Sequence, residues 1–486
     1  MSSNTPYYNA AEGPAILDQG NAEWKRGTKQ GAKCQDLIWG ILFYVQLGVI
    51  GILTAKYAPI MTVELAETYA TSNYNQGRRL EEQNEQNNAF EVNVGQIWFL
   101  VGTSALISGL LSTFAMTLMS KCAQVLIKMA LFFNIFVTAG VTIVALVAGG
   151  SSSVVLLCGV SFVFALYYAY VVWNRVAFAA SNLVTATTAV QANLGLTFLA
   201  YSSLILSMLW SVWWAVAFVS TNYVLGNCNP DGTCEEELNG FIVFLLLVSY
   251  FWTAQVIKNV VHVTVAGTVG TWWFAPYEAS GCCSQAVRDS YTRSMTTSFG
   301  SISLGSLLVS LVSATREMLY AMREQNNSLL LCLADCLLGC IESLLEYFNS
   351  WAFVYVGLYN YSFIEAGSNV MTLFKSRGWS AIVADILVDT VLLMVSLAVG
   401  ILTGLSLALL ASFANWSQEM RGVALIAGTV VGFIFCTTMF SLISSGVNAV
   451  IVCYAEAPAE FQENHPHLAQ QMLGAWKQAY PNEFQY

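Results

Sequence analysis

The sequence predicts an all-α protein: a polytopic membrane helical bundle of about ten transmembrane helices. Three observations predict it. Hydrophobic residues make up 56% of the 486-residue chain and charged residues only 10%, whereas an ordinary soluble domain is about 25% charged. The apolar residues recur in runs of the roughly 20 residues that a spanning helix needs. The acids behind the formal net charge of −10 fall mostly in the tails and loops, and no basic cluster suits a phosphate backbone, which argues against nucleic acid as a partner.

The elements follow in order. Residues 1–36 are polar and form an N-terminal tail, and the first apolar run begins too late for a cleavable signal peptide. Candidate spans are 37–55, 96–120, 123–148, 153–173, 195–220, 240–263, 295–315, 351–374, 382–412 and 423–453. They give a transmembrane domain over 37–453 and a C-terminal tail over 454–486. Lys25, Arg26, Lys29 and Lys33 precede the first span, and the positive-inside rule puts that tail in the cytoplasm. An even number of crossings puts the C-terminal tail there too. The Glu-rich 56–95 loop suits the outer face. "GNCNPDGTC" sets Cys228 and Cys234 around a Pro-Asp-Gly turn in a loop that parity places outside, where a disulfide is expected. "GILTG" at 400–404 and "GTVVG" at 428–432 let the last two spans approach closely.

"SLLLCLADCLLGCIESLLEYF", 328–348, carries Cys332, Cys336 and Cys340 on one helical face, with Asp335, Glu342 and Glu346 interrupting the run. It reads as an amphipathic helix on the membrane surface, on a side that parity and the cysteines assign differently. Three cysteines on one helix lack a fourth zinc ligand, so no metal and no cofactor is expected.

The sixth span poses a sharper question. "YFWTAQVIKNVVHVTVAG", 250–267, holds Gln255, Lys258, Asn259 and His262 within an apolar run. At 3.6 residues per turn all four lie within about 60° of Gln255, and so does Trp252. Polar and ionisable groups in a span are costly and face a bundle interior or a wet cavity, so the stripe is expected to line a substrate path. The plainer alternative is hydrogen bonding to neighbouring helices. Lys258 would repel a cation, and is expected to pair with a carboxylate, to be neutral or to snorkel. Gly267 and Gly270 further on suit a broken helix of the transporter type. Other intramembrane acids are Glu365 in "VGLYNYSFIEAGSNV" and the pair Asp385 and Asp389, one turn apart. Among the many aromatics, Trp272, Trp273 and Tyr359 are candidates for a cation cage.

Four blocks carry a resemblance: "YFWTAQVIKNVVHVTVAGTVGTWWF" (250–274), "SFGSISLGSLLVSLV" (298–312), "LFKSRGWSAIVADILV" (373–388) and "LISSGVNAVIVCYAEAPAEFQENHPHL" (442–468). In this order they resemble the choline transporter-like proteins, the last block most closely those of the fungal and protist branch. The resemblance implies a ten-helix bundle with both tails cytoplasmic, and plasma-membrane transport of choline or a related organic cation. No enzyme activity is expected: a choline-lipid phosphotransferase needs an Asp-rich metal motif, and only Asp385 and Asp389 stand close together. The other alternative is a non-transporting structural or signalling membrane protein. On the transport reading, Trp252, Gln255, Asn259, His262, Trp272, Trp273, Tyr359 and Glu365 are the candidate substrate-binding residues, and His262, Glu365 and Asp385 the candidate proton carriers. Membrane lipids are the other expected partners, and the sequence leaves the oligomeric state open.

Overall fold

The computed structural model describes residues 27–31, 33–77, 94–149, 152–226, 239–282, 284–325, 329–377 and 382–479. The described elements are helices: α1 (Leu37–Gly77), α2 (Val94–Val147), α3 (Ser152–Val172), α4 (Val176–Ala192), α5 (Gly195–Leu225), α6 (Gly240–Phe274), α7 (Gln285–Met295), α8 (Phe299–Gln325), α9 (Leu329–Tyr359), α10 (Phe363–Arg377), α11 (Ile382–Phe413), α12 (Gln418–Glu456), α13 (Pro458–Asn464) and α14 (Pro466–Ala479). Eight runs among the described residues are long and apolar enough to cross a bilayer. One of them, Phe99–Val147, is 49 residues long, roughly two crossings' worth of helix. It breaks its helical backbone at Cys122 (φ −126°, ψ 29°), so α2 covers both the second and the third span expected from sequence. The expected Cys228–Cys234 bridge lies outside the described residues.

One end of the bundle gathers both ends of the described chain. Gln35 N donates to Thr297 O (2.8 Å), tying the start of α1 to the start of α8. Ser298 Oγ donates to Asn360 Oδ1 (2.8 Å), adding the end of α9. Trp273 Nε1 donates to Ala457 O (3.0 Å), joining the ends of α6 and α12. This end is called the tail end below. From it α8 runs 27 residues outward and α9 runs 31 residues back, about 40 and 46 Å of helix.

That traverse corrects the sequence reading at two places. The segment 328–348 is not a helix by itself: its described residues form the larger part of α9, which packs along α8 and α6. Its acids are tolerated because each meets a cation or a donor on those helices. The expected 351–374 span is not one helix either. It breaks at Asn360, whose φ of 62° is a left-handed conformation that Asn adopts more readily than most residues. The break is held from both sides, since Asn360 Nδ2 donates to Gly31 O (3.2 Å) and Lys33 O (3.3 Å).

A third correction concerns α6, which runs unbroken through Gly267 and Gly270. The glycines serve contact instead. A Cβ on Gly267 would come within 2.8 Å of Ser290 Oγ and 3.0 Å of Gly357 O. A Cβ on Gly357 would come within 2.6 Å of Val263 O and 3.0 Å of Ala266 Cβ. Backbone therefore touches backbone between α6 and α9, as small residues allow in membrane bundles. The expected close approach of α11 and α12 is observed: a Cβ on Gly404 would lie 3.0 Å from Thr429 N. One element was not foreseen. Helix α4 is largely buried and packs on α2, α12 and α14, so the C-terminal helices fold back on the bundle.

The glycine contacts make a two-sided prediction. Gly357→Ala forces α6 and α9 apart and should lower the thermal unfolding midpoint in detergent, by the equivalent of about 1–3 kcal/mol of overpacking. Gly109→Ala, with nothing within 4 Å, should leave the midpoint unchanged or raise it, because alanine favours helix by about 1 kcal/mol.

Candidate functional site

The polar stripe of α6 divides between two neighbours. Trp252 and Asn259 turn to α8, which presents a buried row of serines: Ser303, Ser306, Ser310 and Ser313. Trp252 Nε1 donates to Ser303 O (2.9 Å) and Asn259 Nδ2 to Ser306 Oγ (2.9 Å). Both side chains are buried and their donors satisfied, so these two expected binding residues hold helices together.

The rest of the stripe meets α9 and α12 in a more open place. Gln255 Nε2 donates to Glu346 Oε1 (3.0 Å). Lys258 Nζ lies 3.2 Å from the same oxygen, with side chains 63% exposed for Lys258 and 41% for Glu346. Lys258 is halfway along α6 and Glu346 just past the middle of α9. Both side chains are thus partly exposed midway along their helices, and an ion pair facing hydrocarbon there would be costly. One turn further, His262 Nε2 lies 2.9 Å from Ser350 O and Nδ1 2.8 Å from Ser445 Oγ. A carbonyl only accepts, so Nε2 carries a proton and donates to it, while Nδ1 shares a hydrogen bond with the serine hydroxyl. The neighbouring Ser444 Oγ donates to Asp389 Oδ1 on α11 (3.0 Å), and Asp389 is exposed. Gln255, Lys258 and His262 of α6 thus form a polar cluster with Glu346 of α9, and Asp389 adjoins it through Ser444, the chain neighbour of Ser445.

Above it, Arg316 on α8 bridges Asp335 (3.0 Å) and Glu342 (2.9 Å) on α9, Arg323 holds Asp335 (3.1 Å), and Ser313 Oγ donates to Glu342. Cys332, Cys336 and Cys340 are exposed on the same helix.

The other expected site residues lie elsewhere. At the tail end Glu456 is buried, and the hydroxyls of Tyr355 and Tyr359 donate to its two oxygens. Residues 27–36 lace across this point. Thr28 N donates to Tyr361 Oη (3.1 Å), Gln30 N to Tyr359 O (2.8 Å), and Asp36 Oδ2 accepts from Ser301 Oγ (2.7 Å) and Phe363 N (2.8 Å). Burial, followed by Arg293, lowers the pKa of Lys29 in this lacing, against Asp289 and Glu278. Tyr359 is therefore part of a seal. Trp272 stacks on His465 (centroids 3.8 Å apart) and Trp273 on Phe461 (3.9 Å), so both dock α13 and α14. Glu365 is exposed in the first turn of α10, where a carboxylate suits the helix dipole. Asp385 falls in the first turns of α11, where side chains are outside the described set.

Glu346 is the residue that sequence reasoning missed as a site. Its signal was present: Asp335, Glu342 and Glu346 share one face of α9, and Arg316 and Arg323 repeat at the matching interval of seven on α8.

Comparison with known proteins agrees with this architecture. The profile of the family described as "Plasma-membrane choline transporter" matches residues 156–459, more than half of the chain. The chain belongs to that family. It is 30% identical over 332 residues to the protein PNS1 of Gibberella zeae, covering 64% of this chain and 61% of that protein. It is 26% identical over 442 residues to a CTL-like protein of Dictyostelium discoideum, covering 90% of this chain and 74% of that one. A PNS1 protein of Debaryomyces hansenii is 27% identical over 398 residues, 77% of this chain and 75% of its own. These relatives are fungal and protist, the branch that the C-terminal block resembles.

Docking of α13 and α14 carries a pH prediction. Burial lowers the His465 pKa below its ordinary 6.5, against the opposing hydrogen bond from Nε2 to Trp272 O (3.0 Å). The folded state prefers the neutral ring, so docking is strongest above pH 6.5 and weakens as pH falls toward the lowered value. Hydrogen exchange of α13 and α14, corrected for intrinsic rates, should rise on acidification below that pH. His465→Phe, which keeps the stack on Trp272 but cannot charge, should flatten the rise.

Proposed function

We propose that this protein is a carrier of choline or another small organic cation across the plasma membrane, with both tails in the cytoplasm. The observation that carries the reading is Glu346: a partly exposed carboxylate midway along its helix, on a chain of a membrane-transporter family. A carboxylate in a low-dielectric site attracts a cation far more strongly than one in bulk water. Gln255 orients it through the bond to Oε1. Binding replaces the water around the cation, and no bond is made or broken. An inside-negative potential favours cation entry by about 2.3 kcal/mol per 100 mV.

Two features support alternating access. The tail end is closed by Glu456, its tyrosines and residues 27–36, whereas Glu346 is partly exposed. The tail that carries Lys29 and Lys33 lies at the closed end, and the positive-inside rule makes that end cytoplasmic. The structure would then be closed to the cytoplasm, and passage requires Tyr355 and Tyr359 to part from Glu456.

Uptake of labelled choline into proteoliposomes tests the reading. Glu346→Gln keeps shape and one hydrogen-bonding oxygen but removes the charge, and should cut uptake by about tenfold or more. Asn259→Leu should lower thermal stability first and uptake only in proportion to folded protein. Equal uptake in wild type, Glu346→Gln and empty vesicles, across choline and related quaternary and primary amines, would sink the cation reading.

A further inference from the structure

The polar stripe contains a residue that a cation carrier should avoid. Lys258 brings a full positive charge to the carboxylate proposed to receive the substrate. As a mere anchor between α6 and α9 it would be poorly chosen: both side chains of the pair are partly exposed, and exposed pairs contribute little to stability. The α6–α9 contact is already made by Gly267 and Gly357. The ammonium instead neutralises the carboxylate that an incoming cation needs.

A second acceptor adjoins the same cluster. Asp389 on α11 is exposed, and Oδ1 accepts from the hydroxyl of Ser444. Ser444 adjoins Ser445, which holds His262, one turn from Lys258 along α6. A lysine stem has four flexible methylenes and a rotatable head, so the ammonium can turn between two carboxylates with little movement of the backbone.

We propose that Lys258 is a built-in stand-in for the transported cation: it neutralises Glu346 in the empty carrier, yields that carboxylate to substrate, and turns to Asp389 when substrate is bound. The proposal rests on the cation reading above and adds how the empty site avoids an uncompensated charge. Without a surrogate, Glu346 would have to pass through an occluded, water-poor state as a lone anion, which is strongly unfavourable. With it, Glu346 is paired whether the site is loaded or empty, and in the loaded state Asp389 is paired too. The empty carrier can then return, so net uptake is possible and not only exchange.

Three variants separate this role from a structural one. Lys258→Met removes the competitor and should tighten choline binding by about tenfold, read as choline-dependent thermal stabilisation in detergent. In proteoliposomes it should lose net uptake by a much larger factor than choline–choline exchange, because only net uptake needs the empty carrier to return. Asp389→Asn removes the second acceptor, keeps Lys258 on Glu346, and should weaken binding by a similar factor. In a Lys258→Met background Asp389→Asn should no longer weaken it, since no lysine is left to relocate. A structural ion pair predicts the reverse for Lys258→Met: lower stability, equal or weaker binding, and equal losses of net uptake and exchange. That outcome, or an unchanged Asp389→Asn effect in the double variant, overturns the proposal while leaving a cation-transporting wild type intact. A wild-type protein that neither binds nor moves choline or related amines would overturn the cation reading itself, and this proposal with it.

Discussion

Hydrocarbon can hydrate neither a carboxylate nor an ammonium, and the architecture follows from how helix α9 meets that constraint. It crosses the bundle carrying Asp335, Glu342 and Glu346 on one face. Arg323 and Arg316 from α8 and Lys258 from α6 answer them in sequence. This ladder fixes α9 against α8 and α6 and dictates which face turns inward. It also leaves its lowest rung, the Lys258–Glu346 pair, midway along its helices and partly exposed. Below that rung the helix changes character: Trp351, Phe353 and Val354 are fully buried, and the backbone of α9 lies directly on α6 at Gly357.

The two ends of the bundle are built on different principles. The tail end is closed by neutral hydroxyls on one buried carboxylate, by stacked rings and by a strand-like segment of backbone donors and acceptors. Such contacts are numerous and individually small, and they exclude water from Glu456. The opposite half relies on ion pairs that stay partly exposed. On the proposed transport reading, a cation would meet exchangeable partners in the half with the ion pairs and a packed barrier at the tail end. That asymmetry gives the proposed path a direction.

Much of this was legible in the sequence, and the exceptions share a cause. Length and apolarity identified most of the long helices, because lipid selects for both. The stripe on α6 was visible as a periodicity, and its partition was not: whether Asn259 meets a serine and Lys258 a carboxylate depends on partners dozens of residues away. The 328–348 segment misled because its charges were weighed alone. Each acid in a membrane helix looks prohibitive until its cation is found, and Arg316 and Arg323 belong to a different helix. Gly267 and Gly270 misled in the opposite way, since glycine permits both a broken helix and a close approach, and only the facing Gly357 decides between them. Trp272 and Trp273 carry rings that suit cations and packing equally well, and their stacking partners were not visible from the α6 segment alone. Their partners, Phe461 and His465, lie in a tail that showed no sign of belonging to the core.

The lacing of residues 27–36 across the tail end has a consequence for biosynthesis. Thr28 is separated from its partner Tyr361 by 333 positions, and Ser301 from Asp36 by 265. At about 5–20 residues per second, the ribosome makes the lacing segment on the order of 20–60 s before its far partner exists. These early-translated residues are thus among the last to find their place. Until α9 has been inserted and turned at Asn360, the nascent bundle has no lock at that end, and the membrane's permeability barrier depends on the order in which helices leave the insertion machinery.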